Sequence, residues 1–214
     1  MIILDVEQGS DEWKAARLGR VTASRVADMT AKTKTGWGAS RANYLAELVA
    51  ERLTGAPAER YTNAAMEWGS ENEAAARSVY EMMTDATVEQ VGAVLHPSID
   101  MALASPDGLV GTDGLVEIKC PSTATHIDTL LTQTIPDKYI KQMQFQMACT
   151  GRAWCDFVSF DPRMPGDMQI WIKRVNRYDE LIATLEDETR VFLAEVDATI
   201  AALVNKYRLQ EAAE

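Results

Sequence analysis

Ser105-Pro106-Asp107-Gly108-Leu109-Val110-Gly111-Thr112-Asp113-Gly114-Leu115-Val116-Glu117-Ile118-Lys119-Cys120 is the stretch on which the fold is decided. Leu115 to Cys120 reads as a strand, and Asp113-Gly114 before it is a hairpin-turn signal. Strand side chains alternate between faces. Val116, Ile118 and Cys120 form an apolar row that belongs in a core. Glu117 and Lys119 place a carboxylate and an ammonium side by side on the opposite face. The turn can fold Asp107 back towards Glu117, so that two carboxylates and a lysine converge on one point.

Such a point has an evident chemical use. Carboxylate oxygens are the hard ligands that Mg²⁺ prefers, and Mg²⁺ keeps several waters. A metal held by Asp107 and Glu117 can also take the backbone carbonyl of Ile118. It would polarise a phosphoryl oxygen and lower the pKa of a bound water. Lys119 can orient or deprotonate that water and stabilise charge at phosphorus. Taken alone, a Glu-Ile-Lys strand is usually a solvated face with a weak cross-strand charge pair.

Working outward, Met101 to Ala104 reads as a strand that ends in the Ser105-Pro106-Asp107-Gly108 break. A longer strand-like region runs from Thr87 to Leu95. Upstream of it, a helix from about Ala64 to Met83 carries Glu73, which is either a site residue or half of an i,i+4 pair with Arg77. Downstream, a helix from about Pro136 to Thr150 puts Gln142 and Gln146 on one face. These are a contribution to the site or ordinary polar surface. Strands are expected at Trp154 to Phe160 and Met168 to Val175. Ser10 caps a short helix through Leu18. Lys34 to Gly38 reads as a loop, and Ser40 caps a helix that Gly55 stops. An amphipathic helix from about Tyr178 to Tyr207 ends the chain. This order implies one α/β domain over residues 1–214, with a small mixed sheet between helices.

Composition narrows the class. The chain has 214 residues, 47% hydrophobic and 25% charged, the balance of a globular protein. No apolar run approaches a membrane span, and the first residues form no leader, so a cytoplasmic protein without membrane contact is expected. Three cysteines without C-x-x-C spacing suit reduced thiols, and two histidines are too few for a His/Cys zinc site. The net charge of −11 argues against a nucleic-acid partner when taken globally. Its distribution weakens that argument: residues 1–60 carry nine basic and eight acidic side chains, whereas residues 179–214 carry three and nine. A local basic surface is compatible with this total.

With these residues in view, the chain resembles the lambda exonuclease family, the phage alkaline exonucleases and YqaJ-like viral recombinases of the PD-(D/E)xK nuclease superfamily. The resemblance is carried, in order, by Glu7-Gln8-Gly9-Ser10-Asp11-Glu12-Trp13, Arg17-Leu18-Gly19, Thr22-Ala23-Ser24 and Trp68-Gly69 through Glu73. Ser105-Pro106-Asp107-Gly108-Leu109, Glu117-Ile118-Lys119-Cys120-Pro121, Gln142-Met143-Gln144 and Phe160-Asp161-Pro162-Arg163-Met164 complete it. It implies a restriction-endonuclease-like α/β core. It also implies an Mg²⁺-dependent enzyme, with Mn²⁺ as a substitute, that digests the 5′-ended strand of linear double-stranded DNA processively. Mononucleotides are released and a 3′ single strand remains. A homotrimeric ring around DNA and a single-strand annealing protein as partner are implied as well. An endonuclease or 3′–5′ enzyme of the same superfamily, or a non-catalytic DNA-end-binding module, is the alternative.

Residue by residue, the resemblance makes Asp107 and Glu117 metal ligands together with the Ile118 carbonyl. Lys119 positions the nucleophilic water, Glu73 supports the metal and water network, and Gln142 contacts that network or the scissile strand. Arg17, Ser24 and Ser105 match a 5′-phosphate pocket, in which arginine supplies the bidentate fork that phosphate favours. Lys34 stands where the family has a further phosphate-binding arginine, which keeps the charge and loses the fork. Met66 stands where a leucine wedge separates the terminal base pair. The segment from Thr123 to Gln133 matches poorly and carries no assignment.

Overall fold

A computed structural model describes residues 1–58 and 64–207, apart from the side chains of residues 65 and 66. The quoted stretch supplies two strands, β8 (Gly108–Val110) and β9 (Gly114–Lys119), once the elements are numbered along the chain. Before them come β1 (Ile2–Leu4), α1 (Asp11–Arg17), β2 (Val21–Thr22), α2 (Val26–Met29), β3 (Lys32–Thr33), β4 (Gly36–Trp37), α3 (Ala39–Thr54), α4 (Ala64–Thr84), β5 (Val88–Glu89), β6 (Ala93–Leu95) and β7 (Ala102–Ala104). After them come α5 (Thr123–Thr132), α6 (Asp137–Thr150), β10 (Trp154–Phe160), β11 (Ile170–Asn176) and α7 (Asp179–Tyr207).

The sheet that matters has the order β11-β10-β9-β8-β5. β9 pairs parallel with β10 and antiparallel with β8. A second sheet, β1-β6-β7-β2, and the β3–β4 hairpin complete the strands among the described residues. The architecture is mixed α/β with mixed sheets flanked by helices, as the order of elements implied.

Both faces of β9 are covered, and this sets the chemistry of the site. Val116, Ile118 and Cys120 pack with Ala76 and Tyr80 of α4 and with Val158 and Phe160 of β10. Leu115 points the other way, into a larger core built from α2, α3, α6 and α7. Glu117 lies on this second side and is fully buried. The solvated face is therefore excluded, because α6 packs over β10 and α7 closes behind it. Arg152, just after α6, donates to the carbonyls of Val110 (3.2 Å), Gly111 (2.8 Å) and Gly114 (2.8 Å), and so ties down the β8–β9 turn.

Several expectations are corrected. The region from Thr87 to Leu95 is two strands in different sheets: β5 pairs with β8, whereas β6 pairs with β1 and β7. The chain changes sheet where Gly92 passes close to the Val6 carbonyl and the Gln8 amide holds the Val91 carbonyl (2.8 Å). The Ser105-Pro106-Asp107 break does end β7, at Ala104, and the chain resumes at Gly108 as β8 in the other sheet. Lys34 to Gly38 is not a plain loop but includes β4 of a hairpin, with Lys34 in its exposed turn. Ser40 does not cap α3. The hairpin delivers the chain at Gly38, whose amide donates to the Ala31 carbonyl (2.8 Å), and the helix starts one residue before Ser40. Finally, α5 was not anticipated. Ser122 caps it by accepting from the Thr125 amide, and buried His126 pins it to the Ser159 hydroxyl and the Met168 carbonyl, both at 2.8 Å.

Candidate active site

The β8–β9 hairpin pairs Gly108 with Val116. Asp107 therefore arrives beside Glu117, and its Oδ2 accepts the main-chain N–H of Ile118 at 2.6 Å. Glu117 Oε1 meets the Lys119 ammonium and accepts from Gln142 Nε2 (2.6 Å). Glu117 Oε2 accepts from Gln146 Nε2 (2.6 Å). A cavity of about 420 Å³ opens onto this cluster, lined among others by Ser24, Glu73, Asp107, Ile118, Lys119 and Gln142.

Electrostatics follow from the crowding. Burial first, and then the neighbouring Glu117 charge, hold the Asp107 carboxyl well above the usual carboxylate range. For Lys119, burial acts downward, but the Glu117 and Asp107 charges outweigh it and raise the ammonium pKa. Lys119 therefore stays protonated, which favours orienting a water over deprotonating one. Cys120, beside it, is pushed up to about 12 by burial and the Glu73 charge, so its thiol is no nucleophile. All three cysteines are free and buried.

The N-terminal motif and Ser105 meet at a second cluster. Trp13 Nε1 donates to Ser105 Oγ (2.9 Å), and Arg17 Nη1 donates to the same oxygen (3.2 Å). The Arg17 guanidinium stacks 4.1 Å above the Trp13 ring. Gln8 Nε2 donates to the Pro106 carbonyl (2.9 Å), one residue before Asp107. The motif at residues 7–13 thus holds the loop that presents Asp107.

Of the residues read as a site, Asp107, Ile118, Lys119, Glu73, Gln142 and Ser24 line one cavity, and Glu117 is buried behind its wall in contact with Lys119 and Gln142. Glu73 also lies 3.4 Å from Arg77. Arg17 and Ser105 contact each other and adjoin the Asp107 loop without lining that cavity. Lys34 is not brought to the cavity, because its hairpin turn projects into solvent. Met66 lies outside the residues whose side chains are described. The sequence left Gln146 open between the site and polar surface, its signal being its i,i+4 spacing from Gln142, and the structure brings its amide to Glu117.

The Phe160-Asp161-Pro162-Arg163 motif is scaffold. Buried Asp161 accepts from the Arg163 amide (3.0 Å), from its guanidinium (2.7 and 2.9 Å) and from the Thr123 hydroxyl (2.7 Å). The hydrogen bonds from Arg163 hold the Asp161 carboxyl well below the usual range. Arg163 in turn stacks 4.1 Å over Trp68 of α4, which links the end of β10 to the Glu73 helix.

The donor chemistry suits a small divalent cation. Among the described residues, no group of three or more His, Cys, Asp and Glu side chains is arranged around a metal position. The available set is two carboxylates and the Ile118 carbonyl, hard oxygens with room for waters, which is how Mg²⁺ is commonly held. Two carboxylates in mutual repulsion gain from such a cation.

Comparison with known proteins places the chain. Residues 12–153 match the YqaJ-like viral recombinase domain. An alkaline exonuclease from Laribacter hongkongensis, LHK-Exo, superposes with a TM-score of 0.88 at 54% identity, covering 94% of this chain and 100% of that one. The same figures hold for its complex with dAMP. A phage-related exonuclease from Haemophilus somnus 129PT shares the fold, with a TM-score of 0.71 at 16% identity over 86% and 96% of the two chains. No curated protein sequence matches. Among the described residues, no helix is long and apolar enough to cross a membrane. The extent of the domain match and the identity to LHK-Exo show that this chain belongs to the YqaJ-like viral recombinase family.

Proposed function

We propose that the protein is an Mg²⁺-dependent exonuclease that digests the 5′-ended strand of linear duplex DNA in the 5′ to 3′ direction. It works processively as a ring-shaped homotrimer. It releases mononucleotides and leaves a 3′ single strand for a single-strand annealing partner. One observation carries the reading: Asp107 and Lys119 line one cleft with Glu73 and Gln142, and the buried Glu117 carboxylate lies directly behind it, held by Lys119 and Gln142. The relation to LHK-Exo, an alkaline exonuclease that has been crystallised with dAMP, supports it.

Asp107, Glu117 and the Ile118 carbonyl would hold the cation, with Mn²⁺ able to substitute. When bound, the cation supplies Lewis-acid polarisation of the scissile phosphate and a more acidic water. Lys119 donates a hydrogen bond that orients the attacking water, and its charge offsets that developing at phosphorus. Gln142 and Glu73 border the same cleft. The phosphorus–O3′ bond of the terminal nucleotide breaks, and the shortened strand keeps a new 5′-phosphate. Arg17 and Ser105, with Ser24 nearby, would receive that phosphate, so each cut prepares the next substrate. Lys34, in its exposed turn, would meet duplex backbone at a distance from the cleft. The cleft carboxylates tolerate DNA only with a cation present.

The test uses linear duplexes labelled on one strand, bearing a 5′-phosphate or a 5′-hydroxyl, with Mg²⁺. Wild type should remove the phosphorylated strand processively, and Lys119→Ala should be about 10²–10⁴-fold slower. Cutting of closed circles, or loss from 3′ ends, would retain a nuclease and refute the end specificity. No cleavage with Mg²⁺ or Mn²⁺ by folded protein would refute the enzyme.

A further inference from the structure

Glu117 is fully buried, and each of its oxygens is accounted for by a donor. Oε1 has Lys119 and Gln142, whereas Oε2 has Gln146 at 2.6 Å. Gln146 is itself 0% exposed and does not line the cleft. Its Oε1 is buried without a hydrogen-bond partner. The bond to Glu117 is therefore what orients this amide, since the other end of the side chain is held by nothing polar. Burying an amide with half of its capacity unmet is unfavourable. A methionine or leucine would suit a purely structural role at this depth better, as Met143 and Met147 illustrate on the same helix.

The chemistry of the donor also points to the carboxylate. An amide is neutral, so it fixes the Glu117 plane without neutralising its charge. Lysine already supplies the cation on the other oxygen. A third donor behind the carboxylate stops rotation about its terminal torsion, which is otherwise broad. Groups that orient metal ligands from behind commonly tune metal affinity. On the proposed metal-dependent reading, we infer that Gln146 is a positioning residue that holds Glu117 in the orientation a divalent cation requires.

The test is Mn²⁺ binding to the full-length chain, followed by the electron paramagnetic resonance of free Mn²⁺, alongside thermal unfolding in chelator. Gln146→Met keeps the volume and removes the donor. The Mn²⁺ Kd should rise about 10–100-fold. The Mg²⁺ needed for half-maximal cleavage should rise with it, while KM for duplex DNA at saturating Mg²⁺ stays within twofold. If Gln146→Met does not fold, Gln146→Leu takes its place in the same measurement. An unchanged Mn²⁺ Kd, with or without a lower melting temperature, overturns the proposal and leaves the metal-dependent nuclease standing. Failure of wild-type protein to bind Mn²⁺ overturns both.

Discussion

Alanine at Gly19 should destabilise the protein more than alanine at Gly55, although the two glycines share nearly the same backbone conformation. Gly19 has φ of +67° and Gly55 has φ of +68°. For an L-residue the left-handed conformation costs roughly 1–2 kcal/mol, partly offset by about 0.4–1 kcal/mol from a stiffer unfolded chain. Gly55→Ala meets nothing within 4 Å, so about 1 kcal/mol is the whole expected effect. A Cβ at Gly19 would stand 2.6 Å from Cγ of Arg52. Arg52 is not free to swing away: its Nε donates to the Gly19 carbonyl (2.8 Å) and its Nη1 to Asp197 (2.7 Å). Moving it loses the bond to the Gly19 carbonyl, a further ~1–2 kcal/mol for a charged donor. Gly19→Ala should therefore lose about 2–3 kcal/mol. Urea unfolding of the two variants measures the difference directly. At about 2–4 °C per kcal/mol for a chain of this size, their melting temperatures should differ by roughly 2–8 °C. Equal losses would refute the idea that Arg52 is fixed against Gly19, and with it the account of why the Arg17-Leu18-Gly19 motif ends in glycine.

Other expectations concern the site and its scaffold. Arg17→Lys keeps the charge and loses the fork, so KM for 5′-phosphorylated duplex should rise several-fold while KM for 5′-hydroxyl ends changes little. Steady-state kinetics on both substrates checks this. The Asp161 pKa is lower in the folded than in the unfolded chain. Its contribution to stability is therefore present above the unfolded aspartate pKa of about 3.9 and is lost as pH falls below it. Asp161→Asn should be less stable at pH 7 and should show a shallower fall in stability on acidification, measured by urea midpoints at neutral and acidic pH. A chelator should stop cleavage, and added Mg²⁺ should restore it without refolding. A chelator-resistant rate would count against Asp107 and Glu117 as ligands.

Local signals in the chain determined much of this protein. Period-two alternation at Val116, Ile118 and Cys120 set the buried row of the central strand. Ser10 and Gly55 marked helix ends through short-range capping that tertiary context did not override. The turn at Asp113-Gly114 was enough to expect Asp107 beside Glu117, because a hairpin register follows from its turn. Other features depended on which surfaces meet. No local pattern says that the continuous-looking run from Thr87 to Leu95 serves two sheets, since that break is made by the Val6 carbonyl pressing on Gly92 and by Gln8 reaching Val91. Glu117 and Lys119 alternate like a solvated face, and only the packing of α6 over the sheet turns that face into a buried, amide-lined carboxylate. The role of Gln146 stayed open between site and surface for the same reason. A polar residue one helical turn from another looks like surface until the partner across the sheet, far away in sequence, is known. Alternation and capping are properties of neighbouring residues, whereas burial and charge environment belong to the assembled layers.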